Sequence, residues 1–308
     1  MPGGSSNSTH VSLAMPVYNG ARFMPRALEC IRSQTHADWT LLISDNASTD
    51  ATESIGREAA AGDSRILYHR HGENIGAAPN FNFAFKQTSG TLFKWCAHDD
   101  EFAPTFLEAC VKALGENPKA VLAHTNTNSI DDTGEVRSRD GYESRVPSDR
   151  PSERFRAAME MAYPTIVWGV MRRDAAARTP LIASFVGSDR YFLAELLLGG
   201  TLVVVPEYLF SVRFHEGQFA AAFEKNSASD LLRWFDPRAK AGGIGTACRT
   251  ALHIAGTLAR CDAPLFERVR CVTYLTGRIS RRVQRRLFGP RPMPTPPSSH
   301  MGAQETAS

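Results

Sequence analysis

Leu92-Phe93-Lys94-Trp95-Cys96-Ala97-His98-Asp99-Asp100 is an apolar, aromatic run that ends on a histidine and two adjacent carboxylates. The run suits a buried strand, and its ending does not. In open α/β sheets, ligands collect outside the carboxyl ends of the strands. A strand that stops on Asp99-Asp100 therefore sets hard oxygen donors where a divalent cation and a phosphate can meet. The plainer alternative is a solvated turn in which Asp99 or Asp100 caps the next helix, ahead of Pro104. Two further clusters bear on the choice. Tyr18-Asn19 closes the apolar stretch Val11–Val17, and Asp45-Asn46 closes Trp39–Ser44.

These clusters share one edge only if the elements between them are crossovers, and the spacing predicts that they are. Phe23, Ala27, Leu28 and Ile31 recur at helical intervals between Arg22 and Ser33. Ser48-Thr49-Asp50 supplies N-cap chemistry for a second helix running to about Ala61. Arg65–His69 reads as a short strand, Glu73–Gly76 as a turn, and Ala77–Gln87 as an aromatic-rich helix stopped by Ser89-Gly90. Strands alternating with helices imply right-handed crossovers and a mostly parallel sheet. In a parallel sheet all three polar clusters lie at the same end. Ordinary turn residues are the competing explanation.

The second half changes character. Ala120–His124 predicts a strand, Asp131-Asp132-Thr133-Gly134 a hairpin turn, and the polar stretch Asp140–Arg154 a surface loop. Thr165–Met171 is apolar enough for a strand, and Asp189 opens an amphipathic helix that Gly199-Gly200 ends. Leu202–Pro206 and Tyr208–Phe214 complete the strands. From about Ser227 to Leu287 the pattern is helical, with Arg278, Arg281, Arg282, Arg285 and Arg286 near its end. That basic face either stays solvated or touches an anionic membrane surface. The Pro- and Ser-rich stretch from Gly289 reads as a disordered tail.

Composition narrows the class. In a chain of 308 residues, 43% hydrophobic and 22% charged residues are ordinary for a soluble globular protein. A formal net charge of +3 gives no argument for nucleic acid. The six cysteines form no CxxC pair, which speaks against zinc and disulfide frameworks and suits a reducing compartment. No apolar window approaches about eighteen residues, and Met1–His10 lacks a signal-peptide core. The expectation is a cytoplasmic protein, or one peripheral at the inner membrane face.

Six short pieces, in order, carry a resemblance. They are Met15-Pro16-Val17-Tyr18-Asn19; Ser44 to Asp50; Asn74-Ile75-Gly76 with Asn82; Ala97-His98-Asp99-Asp100; Gly187-Ser188-Asp189; and Val212-Arg213-Phe214-His215. Together they resemble the family 2 glycosyltransferases over the N-terminal two-thirds of the chain. The resemblance implies an α/β fold of the GT-A type, the Rossmann-like mixed sheet of nucleotide-diphospho-sugar transferases, over 11–217. A helical C-terminal segment at 218–288 and disordered tails at 1–10 and 289–308 complete the expected organisation. It also implies an inverting transfer of a sugar from a UDP- or dTDP-sugar to a hydroxyl acceptor on a glycan, lipid or small molecule, aided by Mg²⁺ or Mn²⁺.

By the same resemblance, Tyr18 stacks on the base, and Asp45 or Asn46 accepts its N3–H. Pro16, Asn19, Asn74, Gly76, Asn82, His98 and Arg213 complete the nucleotide site. Asp99 is the metal ligand, with Asp100 beside it and His215 completing the shell. Asp189 is the catalytic base. Four positions depart from the family's commoner pattern: Asn46 for Asp, Phe81 for a basic residue, Ala97 for the first metal-motif Asp, and Ser188 for Glu. At Phe81, a missing phosphate contact would fall to Arg213 or Lys94. Trp95 reads as core, and Trp168 as core or sugar platform. Two rival functions are a sugar nucleotidyltransferase, for which Asn19-Gly20-Ala21-Arg22 is a poor phosphate loop, and a non-catalytic nucleotide-binding protein with a decayed site.

Overall fold

Val11–Val17 (β1) buries every residue, because odd-numbered side chains enter one core and Ala14 the other. A strand covered on both faces needs helices on both sides, and the chain supplies them in turn. In the computed structural model, which describes residues 9–141, 148–161, 163–216, 233–237 and 255–288 (side chains to 278), β1 leads to α1 (Met24–Arg32) and β2 (Trp39–Asp45). There follow α2 (Thr52–Gly62), β3 (Ile66–Arg70), α3 (Ala77–Lys86) and β4 (Leu92–Trp95). β1 pairs in parallel with β2 and β4, and β2 with β3. The alternating half is thus parallel, as its periodicity predicts. The polar clusters after β1, β2 and β4 lie at one edge.

The second half is mixed. β5 (Glu101–Phe102), α4 (Phe106–Glu116), β6 (Ala120–Ile130), β7 (Val136–Asp140), α5 (Pro151–Glu160), β8 (Val170–Arg172), α6 (Arg173–Ala177), α7 (Ser188–Leu198) and β9 (Thr201–Arg213) complete the domain. The sheet runs β3-β2-β1-β4-β8-β6-β9-β5, with β7 paired to β6. β8 is antiparallel to both β4 and β6, whereas β9 is parallel to β6 and antiparallel to β5. One core packs α1 and α4 against one face; the other packs α3, α5 and α7 against the opposite face.

Several expectations need correction. Thr165–Met171 is not one strand: Thr165–Trp168 is a 3-10 turn, and pairing starts at Val170. Gly169 makes the break tight, since a Cβ there would lie 2.4 Å from the Ala123 carbonyl oxygen. α7 is not amphipathic, because Phe192 to Leu198 are all buried between α5 and the sheet. The polar stretch ends sooner than expected: Pro151 starts α5 and Arg154 is buried, its Nε donating to the Leu197 carbonyl. The two expected strands are one long strand, β9 (Thr201–Arg213), with register shifts against β6 near Asn126. Asp50 takes the Thr52 N–H, but α2 starts one residue later than a direct cap would allow. At the N-terminus, the expected tail stops short of His10, whose Nδ1 lies 2.7 Å from Asp38 Oδ1. Most of the expected 227–287 helical stretch before residue 255, and the tail from 289, lie outside the described residues. α8 (Leu265–Phe288) is described and packs on α5.

Candidate active site

The loops after β1 and β2 are laced together before any ligand is considered. Asn19 N–H donates to Ser48 Oγ (2.9 Å), Gly20 N–H to Thr52 Oγ1 (2.8 Å), and Thr49 N–H to Asn19 Oδ1 (2.9 Å). Asn19 sits at φ 54°, a left-handed conformation that asparagine tolerates well. Gly20 is required by contact: a Cβ there would lie 2.5 Å from Val17 Cγ2 and 2.8 Å from His98 Cδ2. This close approach brings the His98 ring against the β1 turn. Tyr18, next to it, is 44% exposed, leaving a ring face open to a ligand.

Asp45 and Asn46 hold this edge together. Asp45 is fully buried and accepts from Tyr68 Oη (2.6 Å) and Ser48 N–H (2.9 Å). Asn46 Nδ2 donates to Asn74 Oδ1, and its Oδ1 accepts from Ile75 N–H, both at 2.9 Å. The Asn in place of the commoner Asp is thus explained: the position needs both a donor and an acceptor. Pro16 is a buried residue of β1, paired in register with Ser44. Asn80 and His71 escaped the sequence reading. Asn80 Nδ2 donates to the Ser44 carbonyl, and its Oδ1 lies 2.6 Å from Ser44 Oγ and 3.1 Å from His71 Nε2. Burial holds the His71 imidazole below its usual pKa. An asparagine two residues before Asn82, inside an aromatic-rich helix, was the available signal for Asn80.

Gly76 has φ +91°, and a Cβ there would meet the Phe235 carbonyl oxygen at 2.6 Å and Pro237 Cδ at 2.7 Å. Residues 235–237 therefore pack back onto this loop. Gly76→Ala is expected to lower stability by about 1–3 kcal/mol in chemical denaturation, from strain and collision together. A loss below about 0.5 kcal/mol would contradict the close approach.

Asp99 and His215 form the one side-chain contact among the described residues that joins two expected metal ligands. Asp99 Oδ2 lies 3.0 Å from His215 Nε2, and both side chains are largely buried. Burial pushes the Asp99 carboxyl up, but the His215 hydrogen bond and the nearby His98 outweigh it and hold it below the ordinary value. Asp100 behaves differently. It is buried under the turn, accepts the Arg213 N–H at 2.9 Å, and is raised by burial and by the Asp99 charge. The geometry makes it a support for β9 rather than an outward ligand. Among the described residues no group of three or more His, Cys, Asp or Glu is set to hold a metal.

Arg213 also departs from expectation. It is 3% exposed, and its guanidinium donates to the carbonyls of Asp99 (2.9 Å), Asp131 (2.6 Å) and Asp132 (3.1 Å) and pairs with Glu101. It braces the metal-motif turn against the β6–β7 hairpin and β9, so the geometry turns its donors away from a phosphate. Lys94 is no substitute. It is wholly buried, with Nζ 4.9 Å from the Phe102 and Phe106 ring centroids, and it donates to the Trp168 carbonyl. Burial lowers its pKa.

Phe81 packs toward Trp95 and Trp168, with ring centroids 5.8 and 6.1 Å away, so an aromatic contact replaces the commoner basic residue. Trp95 is core; Trp168 is partly buried against both cores. Asn82 grips the backbone of Ile182, donating to its carbonyl (2.8 Å) and accepting its N–H (3.0 Å). That bond ties α3 to the loop leading into Ser188–Leu198. Asp189 stands in the first turn of α7, its Oδ1 accepting the Arg190 N–H at 2.8 Å, and burial raises its pKa.

The sequence model of Glycosyl transferase family 2 matches residues 12–178, more than half of the chain. The chain belongs to glycosyl transferase family 2. An uncharacterized glycosyltransferase of Rickettsia bellii (strain RML369-C) is 29% identical over 125 residues, 40% of this chain and 18% of that protein. One of Rickettsia prowazekii (strain Madrid E) is 32% identical over 122 residues, 39% of this chain and 37% of that protein. The match therefore spans well under half of these curated relatives. Among solved structures, residues 1–349 of S. aureus TarS in complex with UDP-GlcNAc superpose with a TM-score of 0.67 at 14% identity, covering 91% of this chain and 76% of that one. The mannosyltransferase PcManGT of Pyrobaculum calidifontis, in complex with GDP-Man and Mn²⁺, gives 0.51 at 18% identity, covering 89% and 86%. These likenesses show the GT-A fold. The Asp99–His215 pair lies at the strand edge where the loops after β1, β2 and β4 converge.

Proposed function

We propose that this family 2 chain is an inverting glycosyltransferase that moves a sugar from a UDP- or dTDP-sugar to a hydroxyl acceptor. The observation that carries the reading is the convergence, at one edge of parallel β1, β2 and β4, of exposed Tyr18, the Asn46–Asn74 loop, and the Asp99–His215 pair. An exposed ring takes the flat face of a base. Asn19, Asp45 and Asn46 hold the loops beside that ring in place by hydrogen bonds.

Asp99 would hold Mg²⁺ or Mn²⁺ through a carboxylate oxygen, with phosphate oxygens completing the shell and the His215 imidazole a softer donor beside it. When bound, the ion supplies charge neutralisation for the departing diphosphate. The loss of the first motif carboxylate at Ala97 leaves the protein contributing few ligands, so metal and nucleotide are expected to bind together. Asp189 removes the proton of the acceptor hydroxyl as that oxygen attacks the anomeric carbon. The bond to the diphosphate breaks on the opposite side, which inverts the configuration. Burial raises the Asp189 carboxyl above its ordinary pKa, which strengthens it as a base.

Calorimetric titration of UDP, dTDP, GDP and ADP, each with and without Mn²⁺, tests the donor assignment. Binding confined to UDP or dTDP and dependent on Mn²⁺ is expected. Preference for GDP would overturn the donor reading, metal-independent binding would remove the ion from it, and no binding by any nucleotide would favour a non-catalytic protein.

A further inference from the structure

Among the described side chains, α8 is anchored by one side. Cys271 and Leu275 are buried in the core that holds α5 and α7, Glu267 accepts the Ser152 N–H at 2.8 Å, and Arg278 Nη1 donates to the Met159 carbonyl at 2.9 Å. The other side carries Leu265, Phe266, Val269 and Val272, which are 76%, 61%, 55% and 47% exposed. At about 100° per residue these four fall within a single arc of the helix, together with exposed Thr273 and Thr276. The sequence continues the same spacing with Ile279, Val283 and Leu287.

The charge on this helix is unusual for the chain. Residues 265–288 contain seven arginines and one acidic residue, Glu267. Seven minus one leaves +6 on the helix, twice the +3 of the whole chain, so the remainder is net negative. An apolar column on a strongly basic helix matches a surface that offers hydrocarbon beneath anionic groups. A protein groove would have to supply both the apolar lining and a dense set of carboxylates.

We propose that the outward face of α8 docks the protein on an anionic lipid bilayer. Leu265, Phe266, Val269 and Val272 enter the boundary between headgroups and acyl chains, Arg268 and Arg270 beside them meet the headgroups, and the basic charge of the helix draws it to the anionic surface. α8 packs on α5 and α5 on α7, so the docked helix is linked through two packed contacts to the element that carries Asp189. This inference stands apart from the choice of donor.

The test is flotation of the full chain with vesicles of phosphatidylcholine alone, and with vesicles that also contain phosphatidylglycerol. Retention on the anionic vesicles is expected to be at least about tenfold stronger than on the neutral ones and to fall as salt is raised. Val269→Asp with Val272→Asp is expected to abolish it, with circular dichroism and nucleotide affinity unchanged. Leu265→Ser with Phe266→Ser provides a milder pair and should weaken binding in the same sense. Equal retention on both vesicles, no retention on either, or retention that survives both pairs overturns the proposal. Concentration-dependent dimerisation in sedimentation equilibrium, lost in the Asp pair and without vesicle binding, would instead make this face an interface between copies of the chain.

Discussion

Asp189→Asn is expected to lower the rate of sugar transfer by about 10²–10⁴-fold, the usual contribution of a positioned general base. Nucleotide affinity, read by calorimetry on the same variant, should stay unchanged. The side chain stands in the first turn of α7, where its carboxylate also suits the helix dipole, and a merely structural Asp189 would predict lost stability with little loss of turnover. The pH profile separates the two roles. Burial raises the Asp189 pKa, so the proton is held to a higher pH than by an ordinary carboxyl near 3.9. Only the deprotonated form accepts a proton, so transfer should fall as pH drops through that raised value. The acid limb should therefore lie above the ordinary carboxylate range and vanish from the residual activity of the Asn variant. Full activity in Asp189→Asn would assign the base elsewhere.

The second large effect is expected at Asp99. Disturbing the groups that merely orient a metal ligand already costs about 10–100-fold in affinity, and removing a ligand should cost at least as much. Asp99→Ala should therefore weaken Mn²⁺-dependent nucleotide binding by that factor or more, while binding measured without metal changes little. His215→Ala should act in the same direction, because Asp99 and His215 face each other at 3.0 Å. An Asp99→Ala protein with unchanged metal dependence would sink the assignment of both ligands. The comparison matters because Asp100, one residue on, is buried and bonded to the Arg213 N–H, and it is not expected to reproduce the effect.

Arg213 shows how a residue can be found by sequence and given the wrong task. Its position two residues before His215 marked it as functional, and a phosphate was the obvious partner for a guanidinium. In the folded chain the acceptors are the carbonyls of Asp99, Asp131 and Asp132, reached across as many as 114 residues of sequence. Lys94 and Phe81 teach the same lesson. A lysine in an apolar strand gave no hint of the Phe102, Phe106 and Phe210 rings around it. Nor could the spacing reveal that Phe81 lies between two tryptophans contributed by separate segments.

The sequence by itself determined the parallel half of the sheet and the common edge of its three polar clusters. Strand and helix periodicity are local properties, and the handedness of the crossover leaves β1, β2 and β4 only one way to align. It also singled out candidates: Tyr18 and Asp99 by the abrupt change from apolar to polar at a strand end, Asp189 and His215 by the family resemblance. Three outcomes emerge in the folded chain alone: β8 running antiparallel between β4 and β6, the bracing contacts of Asp100 and Arg213, and the exposure of Leu265, Phe266, Val269 and Val272 on α8. Each of those outcomes depends on which distant group satisfies a buried donor, acceptor or apolar face. Local spacing carries no record of that choice.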